Sequence, residues 1–486
     1  MPPSPQVVLA LDLGTSQCKA ALYSVDGVSH ALTSAGYELR HPAPNFAEQQ
    51  PSHYLEAAKQ VSRDLARDAK SNGAAIVAVG LSTQTPTLVA CDEAGKALGA
   101  AIIWQDSRAG DEAQWLLDQI PTARREEWFG LDLPIGAAST PAKLLWVKRH
   151  APDLWSATRW VMQPKDYIAF CLTGRFTTDR WCAKGITHFQ SGQVHSEYLK
   201  LLGKRVSPCP PVLSPLMING VVKEEASREW GLDAGVPVSV GWSDALAGIV
   251  ATGALHREKL GFVLTGTSEI IGLSSRPREQ APGLYRVPGN LIDIKGLEIH
   301  YGPTQSGGSC LLWLAQLFDR TPEEVLGCLD RRVSTGPNSI LFRPYLYGER
   351  APYWDHRLSA SFDGLRGEHT VGDLVHAVLQ GVALQERLVL ECAERGEAAE
   401  EVVVAGGAAR NQCWDQMRAD VLQRRVCVLS DPATSLRGAA LLAWSALGVI
   451  SLKNPPASWF YGRELVPNPS GASSYRELMD RFRLGK

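Results

Sequence analysis

The first forty residues alternate between apolar runs and short polar turns. Residues 7–13 read VVLALDL, nearly continuous in apolar side chains, and run into Gly14-Thr15-Ser16. CKAALYS (18–24) follows, then the turn Val25-Asp26-Gly27 and another extended stretch. Apolar runs of this length bounded by glycine turns predict strands, and turns this short require antiparallel pairing. After Pro51 the period changes. SHYLEAAKQVSRDLARDAK carries apolar residues at helical spacing with polar residues opposite, which predicts an amphipathic helix. AAIVAVGLS (74–82) then predicts a buried strand. Hairpin strands followed by strand–helix alternation predict an α/β layered fold.

The pattern repeats in the second half. Residues 7–16 read VVLALDLGTS and residues 259–268 read KLGFVLTGTS: an apolar strand entering Gly-Thr-Ser in both. This echo predicts two similarly built lobes, each opening with a strand and a hydroxyl-rich turn. PVSVGWSD (237–244) predicts a strand, ALAGIVATGAL a small-residue helix, and HREK (256–259) a charged break. The lobes are therefore placed at 1–254 and 255–486. The second lobe alternates clearly: a helix over 372–395, strand VVVAGG (402–407), a helix over 411–424, strand VCVLS (426–430) and a helix over 435–448. The Pro-rich tail from Asn454 predicts a surface extension.

Composition narrows the function. At roughly 100–200 residues per domain, 486 residues allow two to four domains. Lys plus Arg is 49 and Asp plus Glu is 51, a net charge of -2, which argues against a nucleic-acid binder built on a broad basic surface. The ten cysteines are dispersed, with no CxxC pair, as expected of reduced thiols in a cytoplasmic protein. The N-terminus lacks an export signal, and no apolar run reaches the length of about 18 residues that a membrane span needs.

Five motifs carry candidate chemistry. Asp12-Leu13-Gly14-Thr15-Ser16 puts a carboxylate at the end of a buried strand, where it needs a partner or a metal. Gly14 admits a ligand close to the backbone, Thr15 and Ser16 offer donors suited to phosphate oxygens, and Lys19 adds a cation. A capped hairpin turn explains the same residues equally well. Thr265-Gly266-Thr267-Ser268 offers a second such turn, or an ordinary strand end. Two phosphate turns suit a nucleoside triphosphate with Mg²⁺ in place of a Walker loop, since no GxxxxGK[ST] occurs. Gly406-Gly407-Ala408-Ala409-Arg410-Asn411 joins a strand to a helix without forming GxGxxG; it is a tight βα turn or a seat for a base or ribose. In Gly241-Trp242-Ser243-Asp244, either polar residue can cap the following helix, which leaves the other free; Asp244 is the candidate general base. Trp104-Gln105-Asp106-Ser107-Arg108 suits a polyol, or describes a buried Trp beside a surface ion pair.

Together and in this order, these elements resemble the FGGY family of carbohydrate kinases, in the actin/hexokinase/Hsp70 ATPase superfamily. The resemblance spans nearly the whole chain. It includes Glu48-Gln49, STPAKLLW (139–146), PKDYIAFCLTGRFTTD (164–179), RPYLYGERAPYWD (343–355) and AGGAARNQCWDQMRADVL (405–422). It implies two ribonuclease-H-like lobes around a central cleft, with ATP phosphates at the two hydroxyl-rich turns. By position, Asp12 and Asp244 orient Mg²⁺ through water, Thr15, Ser16 and Lys19 contact phosphates, and Thr267 and Gly308 complete the second phosphate site. Gly407 and Asn411 match adenosine contacts, and Asp244 matches the catalytic base. Gln84, Thr85, Trp104 and Asp106, with Asp244, match the sugar site.

The resemblance also shows departures. Where xylulokinases carry Gln-Met-His-Gly, this chain has Gln84-Thr85-Pro86-Thr87, and glycerol kinases carry an Arg-Glu pair there that is absent. Ala245 follows the base where relatives carry Asn or Gln, and Gln380 stands where many have Glu. The expectation is an ATP-dependent kinase of a small sugar, chiefly a pentulose such as xylulose. Ribulose, erythritol and gluconate are alternative acceptors, and a non-catalytic nucleotide sensor is the alternative function. The expected partners are ATP and sugar alone, with no nucleic acid or membrane; the sequence leaves monomer and homodimer both open.

Overall fold

The structure is a computed structural model that describes residues 4–131, 133–292, 294, 296–329, 337–407 and 411–484. Two units are present, and each carries a seven-stranded sheet.

In the first unit, the hairpin strands predicted from the sequence are Gln6–Leu13, Gln17–Ser24 and Ser29–Gly36, paired antiparallel in turn. The strand Ala75–Thr83 pairs parallel with Gln6–Leu13 on its other side. Between them runs the helix Pro51–Ser71, which buries Tyr54, Ala57, Ala58, Val61, Leu65 and Ala69 at three- and four-residue steps against the sheet. Proline at its first turn costs nothing, because that N–H has no helical partner. Pro237–Ser239 extends the sheet in parallel, Ile218–Val221 closes the edge antiparallel, and Trp242–Ser243 pairs parallel with the end of Ala75–Thr83.

The second unit repeats this order. Leu260–Thr265 and Ile270–Ser275 form a hairpin, Glu298–Pro303 adds antiparallel, and Glu401–Gly406 and Arg425–Leu429 continue in parallel on the other side. Gly462–Leu465 closes that edge antiparallel, and Tyr285–Pro288 adds one further strand. The repeated Gly-Thr-Ser therefore marks the same place in both sheets, the turn between the first two strands. Behind this sheet lies the helix Val371–Glu394, started by a capping box in which Thr370 and Asp373 satisfy each other's backbone N–H.

By packing, the compact units divide between Gly248 and Ile249, and residues 435–459 pack with the first unit. The helix Thr434–Ala446 seats Gly438 against the Ala247 carbonyl, where any Cβ would collide. Trp459, fully buried, donates its indole N–H to Val25 O (2.9 Å), and Arg437 donates to Gly27 O and Trp459 O, each at 2.8 Å. The tail is not a surface extension. It supplies an edge strand and the helix Ala472–Leu484, which buries Tyr475, Leu478, Met479 and Phe482. The prolines around 455–469 mark turns between packed elements. All ten cysteines are free. Among the described residues, no helix is long and apolar enough to cross a membrane.

Candidate active site

Asp12 ends the first strand, in register with Ser82 on the neighbouring parallel strand, which is itself in register with Trp242. Asp12 and the segment leading to Asp244 thus flank the end of one strand. Gly241 makes this possible. Its φ is +69°, and a Cβ there would lie 2.1 Å from Leu81 O. Only glycine lets the chain turn this tightly against the strand it then joins.

Asp12 is buried, and Ser82 Oγ donates to its Oδ1 at 2.9 Å. Burial raises the Asp12 pKa, while the Ser82 hydrogen bond and Lys19, its partner across the hairpin, act in the opposite direction. Asp244 opens the helix Asp244–Thr252. Its Oδ1 accepts from Ala245 N at 2.7 Å, whereas Ser243 Oγ accepts from Leu246 N and takes the capping role. Burial, with the negative charge of Asp12 adding to it, pushes the Asp244 pKa up to about 7. A helix N-terminus by itself favours the ionised form; here desolvation and like-charge repulsion win. A base near neutrality is well matched to accepting a proton from an alcohol at physiological pH.

The Gly14-Thr15 turn is held from three sides. Tyr37 Oη donates to Gly14 O (2.5 Å), Gln49 Nε2 to Thr15 O (2.6 Å) and Trp104 Nε1 to Thr15 Oγ1 (3.0 Å). Gln49 Oε1 accepts from both Tyr54 Oη and Gln84 Nε2 at 2.8 Å, so Gln84, Trp104 and Thr15 belong to one network. Ser16 and Lys19 are exposed, Thr15 and Thr85 half-buried.

Asp106 is fully buried and fully engaged. It accepts from Ala47 N (2.6 Å) and grips the Arg108 guanidinium, which also reaches Glu48 Oε1 (2.7 Å). A carboxylate without exposed surface and with both oxygens occupied does not present itself to a sugar. The contacts it makes brace the Trp104 loop. Gln105 is exposed.

In the second unit, Gly307 N and Ser309 N both donate to Thr267 O, at 3.0 and 3.1 Å, and Gly308 N donates to Gly266 O at 2.8 Å. The sequence-predicted Thr267 and Gly308 are therefore neighbours. Gly406, at φ +119°, would place a Cβ 2.1 Å from Thr265 O, so the end of its strand fits beside this turn only as glycine. Gly407 is exposed. Asn411 caps the helix Gln412–Leu422, its Oδ1 accepting from Trp414 N at 3.0 Å. Ala408, Ala409 and Arg410, the middle of that predicted turn, lie outside the described residues.

Three participants were not singled out from the sequence. Ser82 is one serine in an apolar strand. Lys143, buried, donates to Pro86 O (3.1 Å) and Ile103 O (2.7 Å), tying the Thr85 loop to the Trp104 loop. Burial pulls its pKa down to about 7, against the pull of Asp106. Lys165, also buried, bonds Asp166 (2.7 Å) and Val240 O (3.1 Å) and pairs with Asp179 (3.0 Å), bracing the segment that precedes Asp244. Both lysines lie inside stretches already noted in the sequence, STPAKLLW and PKDYIAFCLTGRFTTD, where no role was given to them.

Two carboxylates at a strand end, one of them raised to about 7, and hydroxyl-rich strand turns in twin sheets fit a phosphotransferase of the actin-like ATPase fold. The chain matches the model of the FGGY family of carbohydrate kinases, N-terminal domain, over residues 7–251 and the C-terminal domain over residues 261–447. It belongs to that family and is a carbohydrate kinase. It is 29% identical to a xylulose kinase from Staphylococcus epidermidis over 91% of this chain and 88% of the relative. It is 25% identical to a gluconokinase from Bacillus licheniformis over 98% and 94% of the two chains. A crystal structure of xylulose kinase from Rhodospirillum rubrum superposes with a TM-score of 0.86, covers 98% of each chain and is 28% identical.

Proposed function

We propose that this carbohydrate kinase transfers the γ-phosphoryl group of ATP to a hydroxyl of a pentulose such as xylulose. The observation that carries this reading is Asp244, raised to about 7 beside Asp12 at a strand end. Asp244 accepts the proton of the attacking hydroxyl. Thr15, Ser16 and Lys19 bind phosphate oxygens; Thr267 and Gly308 supply a second phosphate turn, and Gly407 and Asn411 the adenosine contacts. Gln84, Thr85 and Trp104 bind sugar hydroxyls and the C–H face. Among the described residues, Gln84 Oε1 is buried without a hydrogen-bond donor, an arrangement a substrate hydroxyl would satisfy.

The residues also fit Mg²⁺. Two neighbouring carboxylates, each raised by burial, gain from a cation, and Mg²⁺ takes one or two carboxylates together with phosphates and water. Asp12 and Asp244 would hold it through water, and when bound it supplies charge neutralisation at the phosphates. Among the described residues no group of three or more His, Cys, Asp or Glu forms a fuller cage, as Mg²⁺ requires none.

Gluconate is the second acceptor class, favoured by the gluconokinase relatives. An ADP-release screen over pentuloses, aldonates and polyols tests the reading. Release dependent on a pentulose and abolished in Asp244→Asn is the expected result; no release with any acceptor would overturn it.

A further inference from the structure

Lys184 stands apart from the buried Lys143 and Lys165 because no oxygen of the described residues claims its ammonium. Lys143 and Lys165 each bond backbone carbonyls or carboxylates. Lys184 is half-buried, and among the described residues its ammonium has neither a salt bridge nor a hydrogen bond. It lies over the ring of Trp181, Nζ 4.5 Å from the ring centroid. Lys165 bridges Asp179 and Val240 O, which sets the 179–184 turn beside the segment that leads to Asp244, and the charges of Asp179 and Asp244 both act on Lys184. Asp179 is already committed: Oδ1 accepts from Trp181 N (2.9 Å) and Cys182 N (3.1 Å), and Oδ2 lies 3.0 Å from Lys165 Nζ. Asp244 is the base.

The position is built rather than incidental. Ala183 N donates to Asp179 O, Lys184 N to Trp181 O, and Ile186 N and Thr187 N to Ala183 O, so the backbone around Lys184 is a closed series of turns. Gly185, at φ +80°, packs on Pro141 and Leu133 where a Cβ would collide. The Trp181 face guides the lysine stem, and a ring face favours a cation. An ammonium with no acceptor from the protein is available to an oxygen of a ligand, and its charge strengthens that hydrogen bond.

Resting on the sugar-kinase reading above, we propose that Lys184 Nζ is the subsite for an sp² oxygen of the acceptor, a ketose carbonyl or an aldonate carboxylate. The enzyme therefore selects ketoses and sugar acids over alditols. An ammonium offers three donors and no acceptor. A carbonyl or carboxylate oxygen satisfies it directly. An alditol hydroxyl is a weaker acceptor and brings a proton of its own, for which Asp179, fully buried and paired with Lys165, offers no place. The subsite also takes over part of the substrate binding that an amide after the base would have given, since Ala245 has none.

Xylulose, xylonate and xylitol share a five-carbon chain and differ only at C1 and C2, where xylulose carries a ketone at C2, xylonate a carboxylate at C1 and xylitol a hydroxyl at each. Their affinities are measured by calorimetry with ADP and Mg²⁺ present, alongside ADP release when ATP is supplied. Wild type is expected to bind xylulose or xylonate about tenfold to a hundredfold more tightly than xylitol, the usual range for a charge-assisted hydrogen bond. Lys184→Met keeps the stem on Trp181 and should collapse that ratio to within about threefold, while Lys184→Arg retains it in part. A larger effect on xylonate than on xylulose assigns the oxygen to a carboxylate, the reverse to a carbonyl. Equal wild-type affinities for all three, or an equal loss on all three in Lys184→Met, overturns the subsite even where transfer is robust. Preserved discrimination in binding with no transfer to any of them instead overturns the kinase reading and leaves the subsite standing.

Discussion

The indole Nε1 of Trp104 donates to Thr15 Oγ1 over 3.0 Å, joining a residue assigned to the sugar with one assigned to phosphate. The two side chains come from loops after different strands, and Gln49 fixes the Thr15 backbone from a third direction. In the proposed reading, sugar and phosphate positions are thereby coupled inside one unit before any ligand arrives.

That coupling is measurable. Trp104→Phe and Thr15→Val each remove the hydrogen bond and are expected to lower kcat/KM about tenfold. The double variant should fall short of the product of the two effects, with a coupling of about 1 kcal/mol. Strict additivity would show that the contact does not act as a unit.

Asp244→Asn should cost 10²–10⁴-fold in kcat, the usual worth of general base assistance, while nucleotide affinity stays within a few-fold. The same substitution should stabilise the fold at alkaline pH. The folded-state pKa of Asp244 is raised, so the stability it contributes is present at low pH and lost as pH rises through about 7. The shift sets a ceiling of about 4 kcal/mol, which solvent screening at a half-buried group lowers. Thermal melts at pH 5 and pH 8 check this: the gain from Asp244→Asn must be larger at pH 8.

The acid limb of the pH profile reports the carboxylate pair. The base must be ionised, so kcat/KM in the wild type should fall below a midpoint near 7. Asp12→Asn removes the neighbouring charge and should move the midpoint to lower pH, whatever it does to the plateau. A midpoint that stays in place would separate Asp12 electrostatically from the base.

Ser82→Ala deletes the only side-chain hydrogen bond among those acting on the Asp12 pKa. Loss of a hydrogen bond to a charged group is worth about 1.5–3 kcal/mol. The Asp12 carboxylate should then ionise less readily, and the Mg²⁺ midpoint for activity should rise roughly tenfold. An unchanged Mg²⁺ titration would remove Asp12 from the metal site.

The local pattern of the chain determined the hairpin strands, the helices Pro51–Ser71 and Val371–Glu394, and the repeated strand into Gly-Thr-Ser, because each is set by periodicity or by a glycine turn within a few residues. It also marked Asp12 and Asp244, since a carboxylate at the end of an apolar run is costly enough to stand out. What it left open depends on strands far apart in sequence. Only the parallel pairing of Ala75–Thr83 with both neighbours puts Ser82 on Asp12 and brings Asp244 close enough for the two charges to interact. Long-range packing likewise decided that residues 435–459 return to the first unit, where Gly438 seats on Ala247 and Trp459 packs beneath the turn at 25–27. Asp106 reads from sequence as a polyol ligand, yet its pairing with Arg108 and Ala47 N turns it inward. Whether a polar side chain faces a ligand or its own backbone is a property of burial, and burial is fixed by packing rather than by spacing along the chain.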